Sequence, residues 1–155
     1  MSTTVRHPTK AWLAFLHAHA TVIRELNAEL VAGHGLTLND YEVLLWLAQA
    51  PDRRLRRVDL VERVLLTASG ITRLLEGLER QGFVRKAACA ADGRVVYAEL
   101  TDAGYDKLRR ASRTHLDGID RLYESRFDAD ELDTLAELLG RLAGEDAAGD
   151  SCGVD

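Results

Sequence analysis

The sequence predicts a mainly helical fold of the α+β class, in which one small β-hairpin interrupts a series of helices. Over most of the chain, apolar residues recur at spacings of three and four, which places them along one face of a helix. Two short strand-like runs, 83–89 and 95–100, are joined by a loop that contains Asp-Gly, a pair typical of hairpin turns. These two patterns together define the fold class.

The composition is that of a globular protein. Hydrophobic residues make up 46 % of the 155 residues and charged residues 29 %, so the chain can bury a core. No apolar run approaches the roughly 18 to 20 residues that cross a bilayer, and residues 1–10 contain no apolar signal core. Two cysteines, Cys89 and Cys152, are too few for a secreted disulfide scaffold. We therefore expect a cytoplasmic protein that makes no contact with membranes.

Charge is distributed unevenly along the chain. The net charge is −5, which on its own argues against nucleic acid as a partner. However, residues 51–100 carry ten Lys and Arg against seven Asp and Glu, a net charge of +3, and the rest of the chain has −8. A basic central segment between acidic flanks is compatible with DNA binding, because the local field matters more than the total. The alternative is that these arginines only decorate solvated helices.

Long amphipathic helices are predicted at both ends of the chain. The N-terminal helix ends at Gly33 and Gly35. Its apolar stripe is formed by Trp12, Phe15, Leu16, His19, Ile23, Leu26 and Leu30. After the hairpin, Thr101 caps a second long helix, and a capping box of Asp128 and Glu131 opens a last one. The stripe of that last helix is formed by Leu132, Leu135, Leu138, Leu139 and Leu142.

The central segment predicts three shorter helices before the hairpin. The first, 39–50, is apolar almost all round and follows two candidate N-caps, Thr37 and Asn39, so we expect it to be buried. An arginine-rich connection over 52–57 leads to a brief helix, 58–64. The third helix opens at an N-capping threonine and stops before a glycine. A helix-turn-helix followed at once by a β-hairpin is the arrangement of a winged helix.

The third of these helices, 67–81, has the features of a DNA recognition helix. After the N-capping Thr67, which is itself a candidate DNA contact, its outer face presents Ser69, Thr72, Arg73, Glu76 and Arg80. Small polar residues near its start permit a close approach to base edges in the major groove, and Arg73 can fork onto a guanine or a phosphate. Glu76 either orients Arg73 or accepts from a cytosine. The alternative is an ordinary solvated amphipathic helix.

The hairpin, 84–100, fits the role of the wing. Arg94 at its tip can enter a narrow minor groove, whose negative potential attracts cations, and Asp92 could hold the guanidinium in position. Four further cations suit phosphate contacts: Arg56, Arg57, Arg85 and Lys86. On the alternative interpretation, Asp92 and Arg94 are only good turn residues.

These segments resemble the MarR family of transcriptional regulators. The run LTASGITRLL at 66–75 resembles the family's recognition helix, and LERQGFV at 78–84 resembles the helix end that leads into the wing. Asp-Gly-Arg at 92–94 matches the family's Asp-x-Arg wing motif, and LTDAG at 100–104 its strand-to-helix junction. The sequence departs from the family pattern around residues 56–59, which leaves the start of the short helix open.

The resemblance implies a homodimer that binds a pseudo-palindromic site in double-stranded DNA, with the recognition helix in the major groove and the wing in the minor groove. By analogy with the family, it also implies a ligand-responsive repressor. We expect one domain over 8–143, made of a DNA-binding lobe, 37–100, and dimerisation helices, 8–33 and 102–143. From residue 144 the sequence is small and acidic, and we expect a disordered tail over 144–155.

Members of this family commonly sense a small aromatic or phenolic molecule, an oxidant or a metal. Trp12, His19 and His115 lie on apolar stripes and are candidates for an effector site, although a histidine in that setting is more often a core residue. Arg85 and Lys86 give Cys89 only weak cationic support, so we expect an ordinary cysteine there and no redox switch. The histidines show no spacing that predicts a metal site, and no cofactor is expected.

Two other classes of protein are the alternatives to a DNA-binding regulator. An enzyme is disfavoured, because the sequence contains no phosphate-binding glycine loop, nucleophile elbow or His-Glu metal motif. A winged-helix adaptor that binds protein without DNA would favour apolar anchors on the exposed face, where this chain has Ser69, Thr72 and Arg73.

Overall fold

The structure, a computed structural model, describes residues 6–144. Its six α-helices are α1 His7–His34, α2 Leu38–Gln49, α3 Arg57–Arg63, α4 Ala68–Arg80, α5 Asp102–Glu124 and α6 Ala129–Ala143. Its three strands are β1 Arg54–Arg56, β2 Val84–Ala88 and β3 Val96–Leu100. The predicted fold class is confirmed. The expected tail lies outside the described residues, except for Gly144, which caps α6.

The chain divides after Gly118 into two compact units. The first contains α1 to α4, the sheet and most of α5, and the second contains the end of α5 and all of α6. Within residues 6–144, no helix is long and apolar enough to cross a membrane.

Side-chain caps begin the helices where the sequence predicts them. The Thr37 hydroxyl accepts from the Asp40 N–H at 3.1 Å, and the Asp40 carboxylate accepts from the Thr37 N–H at 2.8 Å, so Thr37 is the N-cap of α2 and Asn39 lies inside the helix. The Thr67 hydroxyl accepts from the Gly70 N–H at 3.1 Å and begins α4. The capping box predicted at the start of α6 is also present.

Strand β1 lies within the predicted arginine-rich connection, where no strand was expected. The sheet therefore has three antiparallel strands in the order β1-β3-β2, rather than a hairpin alone. In β1, Leu55 is buried opposite Ala98, while the side chain of Arg56 is exposed. Three residues are too few to show a clear alternation, and the pairing partner lies more than 40 residues away in the sequence.

Helix α2 lies at the centre of the core of the first unit, as its apolar sequence predicts. Val43, Leu44 and Leu47 have no exposed surface. Ile71 and Leu78, on the inner face of α4, are equally buried and belong to the same cluster. The recognition-helix candidate is therefore held by its apolar face, and its opposite face is available to solvent.

Three parts of the chain lie against one another at one place. They are the end of α4, the base of the hairpin and the start of α5. Gly82 stops α4 with a left-handed φ of 77°, a conformation that favours glycine. The Thr101 hydroxyl donates to the Gly82 carbonyl at 2.6 Å, and the Thr101 N–H donates to the Phe83 carbonyl at 3.1 Å. Gly104 packs so closely here that a Cβ atom would lie 2.1 Å from the Phe83 oxygen. We call these four residues the crossing.

Replacement of Gly104 by alanine tests this packing. We expect Gly104→Ala to lower the free energy of unfolding by about 2 kcal/mol or more, because the new methyl group overlaps a backbone carbonyl that cannot move independently. Gly33→Ala is the matched control, since nothing lies within 4 Å of its position in α1. The control should raise stability by about 0.5–1 kcal/mol through helix propensity. Denaturant unfolding at equal protein concentration measures both, and equal effects of the two substitutions would contradict the packing.

Candidate nucleic-acid interface

The outer face of α4 presents Ser69, Arg73 and Glu76 to solvent. Within residues 6–144, Arg73 has no hydrogen bond and no ion pair, and the same holds for Glu76. The suggested role of Glu76 in orienting Arg73 is therefore not seen. Arg73 projects an uncompensated guanidinium from the second turn of the helix.

Two hydroxyl groups near the start of α4 make hydrogen bonds to other groups of the protein. The Thr67 hydroxyl caps the helix and lies 3.2 Å from the Ser69 hydroxyl. The Thr72 hydroxyl donates to the Ala68 carbonyl at 3.0 Å and accepts from the Arg57 guanidinium at 3.1 Å. This last contact joins the first residue of α3 to the exposed side of α4.

The hairpin tip is organised by Asp92. The Val95 N–H donates to the Asp92 carbonyl at 3.1 Å, and the Arg94 N–H donates to the Asp92 carboxylate at 3.0 Å. The expectation that Asp92 holds the Arg94 guanidinium is wrong, because within residues 6–144 this guanidinium makes no contact with the carboxylate, which binds the Arg94 backbone. The Arg94 side chain is exposed and has no partner within residues 6–144.

Three of the four cations that the sequence assigned to phosphates are paired with acids. Arg56 makes a two-pronged contact with Asp59 at 2.8 and 3.0 Å, and this contact holds the pKa of the Asp59 carboxyl below its usual range. Arg85 Nε donates to Glu99 at 3.0 Å. The remaining pair, Lys86 and Glu79, is looser at 3.8 Å and connects β2 to α4.

Arg57 differs from these three, because its partner is a neutral hydroxyl and no acid pairs with it within residues 6–144. The Asp59 carboxylate also accepts from the Arg56 N–H at 3.1 Å, so α3 begins at Arg57, one residue before the predicted start. Among the cations that the sequence analysis assigned to DNA contacts, those without an acidic partner within residues 6–144 are therefore Arg57 on α3, Arg73 on α4 and Arg94 at the hairpin tip.

The candidate effector residues fall into two separate groups. Trp12 and His19 lie on the exposed half of α1, where Phe15 is between them with ring-centroid distances of 6.3 and 6.1 Å. His115 instead packs on Tyr41 of α2, with 4.6 Å between the ring centroids. Within the described chain, no ring contact or hydrogen bond joins the two groups. Tyr41 was missed by the sequence analysis, since a buried tyrosine in an apolar helix carries no functional signal.

Polar groups lie near His115, but one nitrogen of its ring has no hydrogen-bond partner within the described residues. The Tyr41 hydroxyl lies 3.2 Å from the Ser112 hydroxyl. His115 Nδ1 is buried without a hydrogen-bond partner. Burial lowers the pKa of His115, and the Glu29 carboxylate opposes this shift. Such an unsatisfied nitrogen is a candidate contact for a polar group of a ligand.

The pKa of His115 predicts how stability depends on pH. Because the lowered pKa favours the neutral ring in the folded state, the unfolded chain takes up a proton first as the pH falls through the ordinary value of 6.5. The free energy of unfolding should therefore fall between pH 7 and pH 5, and His115→Gln should reduce that slope. Denaturant unfolding at several pH values measures it, and an unchanged slope in the variant would contradict the assignment.

Cys89 directly follows β2, which ends at Ala88. Backbone N–H groups of Asp92 and Ala91 lower the pKa of its thiol. The absence of a redox role stays a prediction, and Cys152 lies outside the described residues. Within residues 6–144, no group of three His, Cys, Asp or Glu side chains is placed to bind a metal ion.

A helix-turn-helix with an exposed second helix and a cation-tipped hairpin defines the winged-helix class of DNA-binding proteins. The sequence profile of the MarR family matches residues 34–95. The chain belongs to this family of transcriptional regulators.

Known transcriptional regulators are similar to this chain in sequence. The chain is 35 % identical over 111 residues to the HTH-type transcriptional repressor YetL of Bacillus subtilis, an alignment that covers 72 % of this chain and 66 % of that protein. It is 33 % identical over 106 residues to the HTH-type transcriptional regulator YkoM of the same organism, covering 68 % and 67 %. The chain thus spans about two thirds of the length of these two relatives.

A solved structure extends the similarity over nearly the whole chain. The MarR family regulator Sco3205 of Streptomyces coelicolor, crystallised in complex with DNA, superposes with a TM-score of 0.79. The two chains share 28 % sequence identity, and the match covers 97 % of this chain and 95 % of that one.

Proposed function

We propose that this protein is a sequence-specific repressor that binds double-stranded DNA. The observation that carries the proposal is that Arg73 on α4 and Arg94 at the wing tip are both exposed and have no acidic partner among residues 6–144. A cation without an acidic neighbour keeps its full attraction for phosphates and base edges. The similar regulator that was solved with DNA supports the choice of partner.

The two arginines have different roles in this proposal. Arg73 lies near the start of α4, where a helix inserted in the major groove reaches bases, and its fork fits guanine O6 and N7. Arg94 enters the adjacent minor groove, with Asp92 fixing the turn that carries it. Thr67 and Ser69 allow the start of α4 to approach the duplex closely. Arg56, Arg85 and Lys86 are each paired with an acid. Each can bind a phosphate only by contacting it together with that acid or by leaving the acid, so each adds less to the affinity for DNA than an unpaired cation does.

The apolar surfaces of α1 and α6 support a homodimer on a pseudo-palindromic site. On α1, Trp12 is 57 % exposed and Leu16 39 %. On α6, Leu138 and Leu142 are 51 % and 72 % exposed. Large apolar side chains in regular helical stripes are stabilised when a second copy covers them, and a two-fold dimer matches a two-fold site. We assign dimerisation to 8–33 and 102–143, DNA binding to 37–100, and one domain to 8–143.

A small aromatic or phenolic effector is part of the proposal. Trp12 and His19, with Phe15, offer an aromatic row on α1. His115 offers a buried nitrogen with no partner beside the ring of Tyr41. A ligand with an apolar ring and one polar substituent fits the chemistry of the aromatic row on α1 and that of the His115–Tyr41 pair. We further propose that the protein acts in the cytoplasm and has no enzymatic activity.

An adaptor that binds protein without DNA is the alternative function. The exposed side of α4 opposes it, since Ser69, Arg73 and Glu76 supply no apolar anchor there.

Substitution of the unpaired arginines tests the DNA-binding surface. Arg94→Ala should weaken binding by about 1–3 kcal/mol through the loss of a groove contact. Arg73→Ala should also change the preferred sequence, because this residue reads base edges. Arg6→Ala is the control, since it removes an exposed arginine that lies outside both the DNA-binding lobe and the dimerisation segments. Titration of a labelled duplex at two salt concentrations measures these effects, and equal losses for all three variants would refute the assignment.

A charge in the apolar stripe of α1 tests the dimer. Leu16→Glu should shift the protein from dimer to monomer, because the carboxylate would be buried in the interface without a partner. Val58→Glu is the matched control, since Val58 is 57 % exposed but lies on α3. Sedimentation equilibrium measures the mass of each variant. If Leu16→Glu stays dimeric, or the native protein is a monomer, α1 does not supply the interface.

A further inference from the structure

We propose that Thr72 contributes to DNA binding by holding Arg57 against the recognition helix, and that its hydroxyl does not read a base. This inference rests on the proposed function and deepens it, because it assigns a positioning residue to the same surface. It changes the expected role of Thr72 from a direct contact to an indirect one.

The Thr72 hydroxyl already makes two hydrogen bonds inside the protein. A hydroxyl has one hydrogen, and Thr72 donates it to the Ala68 carbonyl one turn earlier, at 3.0 Å. One lone pair accepts from the Arg57 guanidinium at 3.1 Å. The group therefore has no hydrogen left for an acceptor on a base edge. Its second lone pair is the one position left, and it can accept only from a donor such as cytosine N4–H.

Arg57 differs from Arg56 in that no acid neutralises its charge within the described residues. Its neighbour Arg56 is bound by Asp59 through two hydrogen bonds, which largely cancels the field of that guanidinium. Arg57 is held by a neutral hydroxyl and keeps its full charge. A guanidinium has five N–H donors, and this contact uses one of them. Four remain for a phosphate oxygen.

The contact with Thr72 also lowers the entropy that Arg57 loses when it binds a phosphate. A free arginine loses considerable rotamer freedom when a phosphate fixes it, and that loss reduces affinity. The Thr72 contact fixes part of the side chain before DNA arrives. Since Arg57 begins α3 and Thr72 lies on α4, the contact also places a cation from one helix beside the exposed surface of the other.

Four variants separate this role from direct reading. Thr72→Val keeps the shape and removes the hydroxyl, while Thr72→Ser keeps the hydroxyl and removes the methyl group. Arg57→Gln removes the charge, and the fourth variant combines Arg57→Gln with Thr72→Val. Each is titrated against a labelled duplex carrying the preferred site, against single-base variants of that site, and over a range of salt concentrations.

The expected pattern follows from the indirect role. Thr72→Val should weaken binding about 3- to 10-fold, equally on every duplex, and Thr72→Ser should bind like the native protein. Arg57→Gln should weaken binding on all sequences and lower the salt slope by about one phosphate contact. In the Arg57→Gln background, Thr72→Val should cause no further loss. Thr72→Ser thus serves as the control for Thr72→Val, because it changes the same side chain and keeps the hydroxyl that binds Arg57.

Several outcomes would overturn the proposal. They are a change of base preference in Thr72→Val, a further loss in the double variant, or equal weakness of the Ser and Val variants. Circular dichroism checks folding, and if Thr72→Val is unfolded, Thr72→Ala makes the same test with a better helix former. Failure of the native protein to bind any duplex would instead refute the proposed function.

Discussion

The geometry of the DNA-binding surface depends on the crossing, where the chain leaves α4 and later enters α5. Gly82 and Phe83 offer two carbonyl oxygens, and Thr101 binds both through its hydroxyl and its N–H. Gly104 then lets α5 begin against the Phe83 carbonyl at a distance that excludes any side chain. Because α4 ends and the hairpin begins at this point, the hydrogen bonds of the crossing constrain the angle between α4 and the hairpin. A duplex presents its two grooves at a fixed spacing, so this angle decides whether both elements can bind at once.

Ion pairing inside the lobe determines which cations are free for DNA. A count of charges treats Arg56 and Arg57 alike, but Asp59 binds the first and leaves the second uncompensated. Arg73 and Arg94 are likewise free on the reading elements, within the part of the chain that is described. A protein with a net charge of −5 can therefore present a cationic surface. The paired arginines hold the helix start and the sheet, and in the proposed function the unpaired ones supply the field that attracts the duplex.

Local signals in the sequence predicted most of the fold, and long-range contacts account for what was missed. Thr37 and Thr67 were predictable caps, because capping depends on neighbours within three residues. The strand around Leu55 was not, since it exists only through pairing with β3. The same distinction holds at the candidate site. The sequence predicted which arginines reach the surface, but the partner of Arg85 across the sheet depends on the register of strands, which composition does not reveal.

Methylation interference on a bound duplex tests most directly whether α4 and the wing bind one piece of DNA together. Dimethyl sulfate modifies guanine N7 in the major groove and adenine N3 in the minor groove, so one experiment reports on both grooves. The expected result is interference at major-groove positions flanked by interference at minor-groove positions, repeated with two-fold symmetry about one helical turn apart. Interference confined to one groove, or a single cluster without a symmetric partner, would contradict the joint binding of helix and wing.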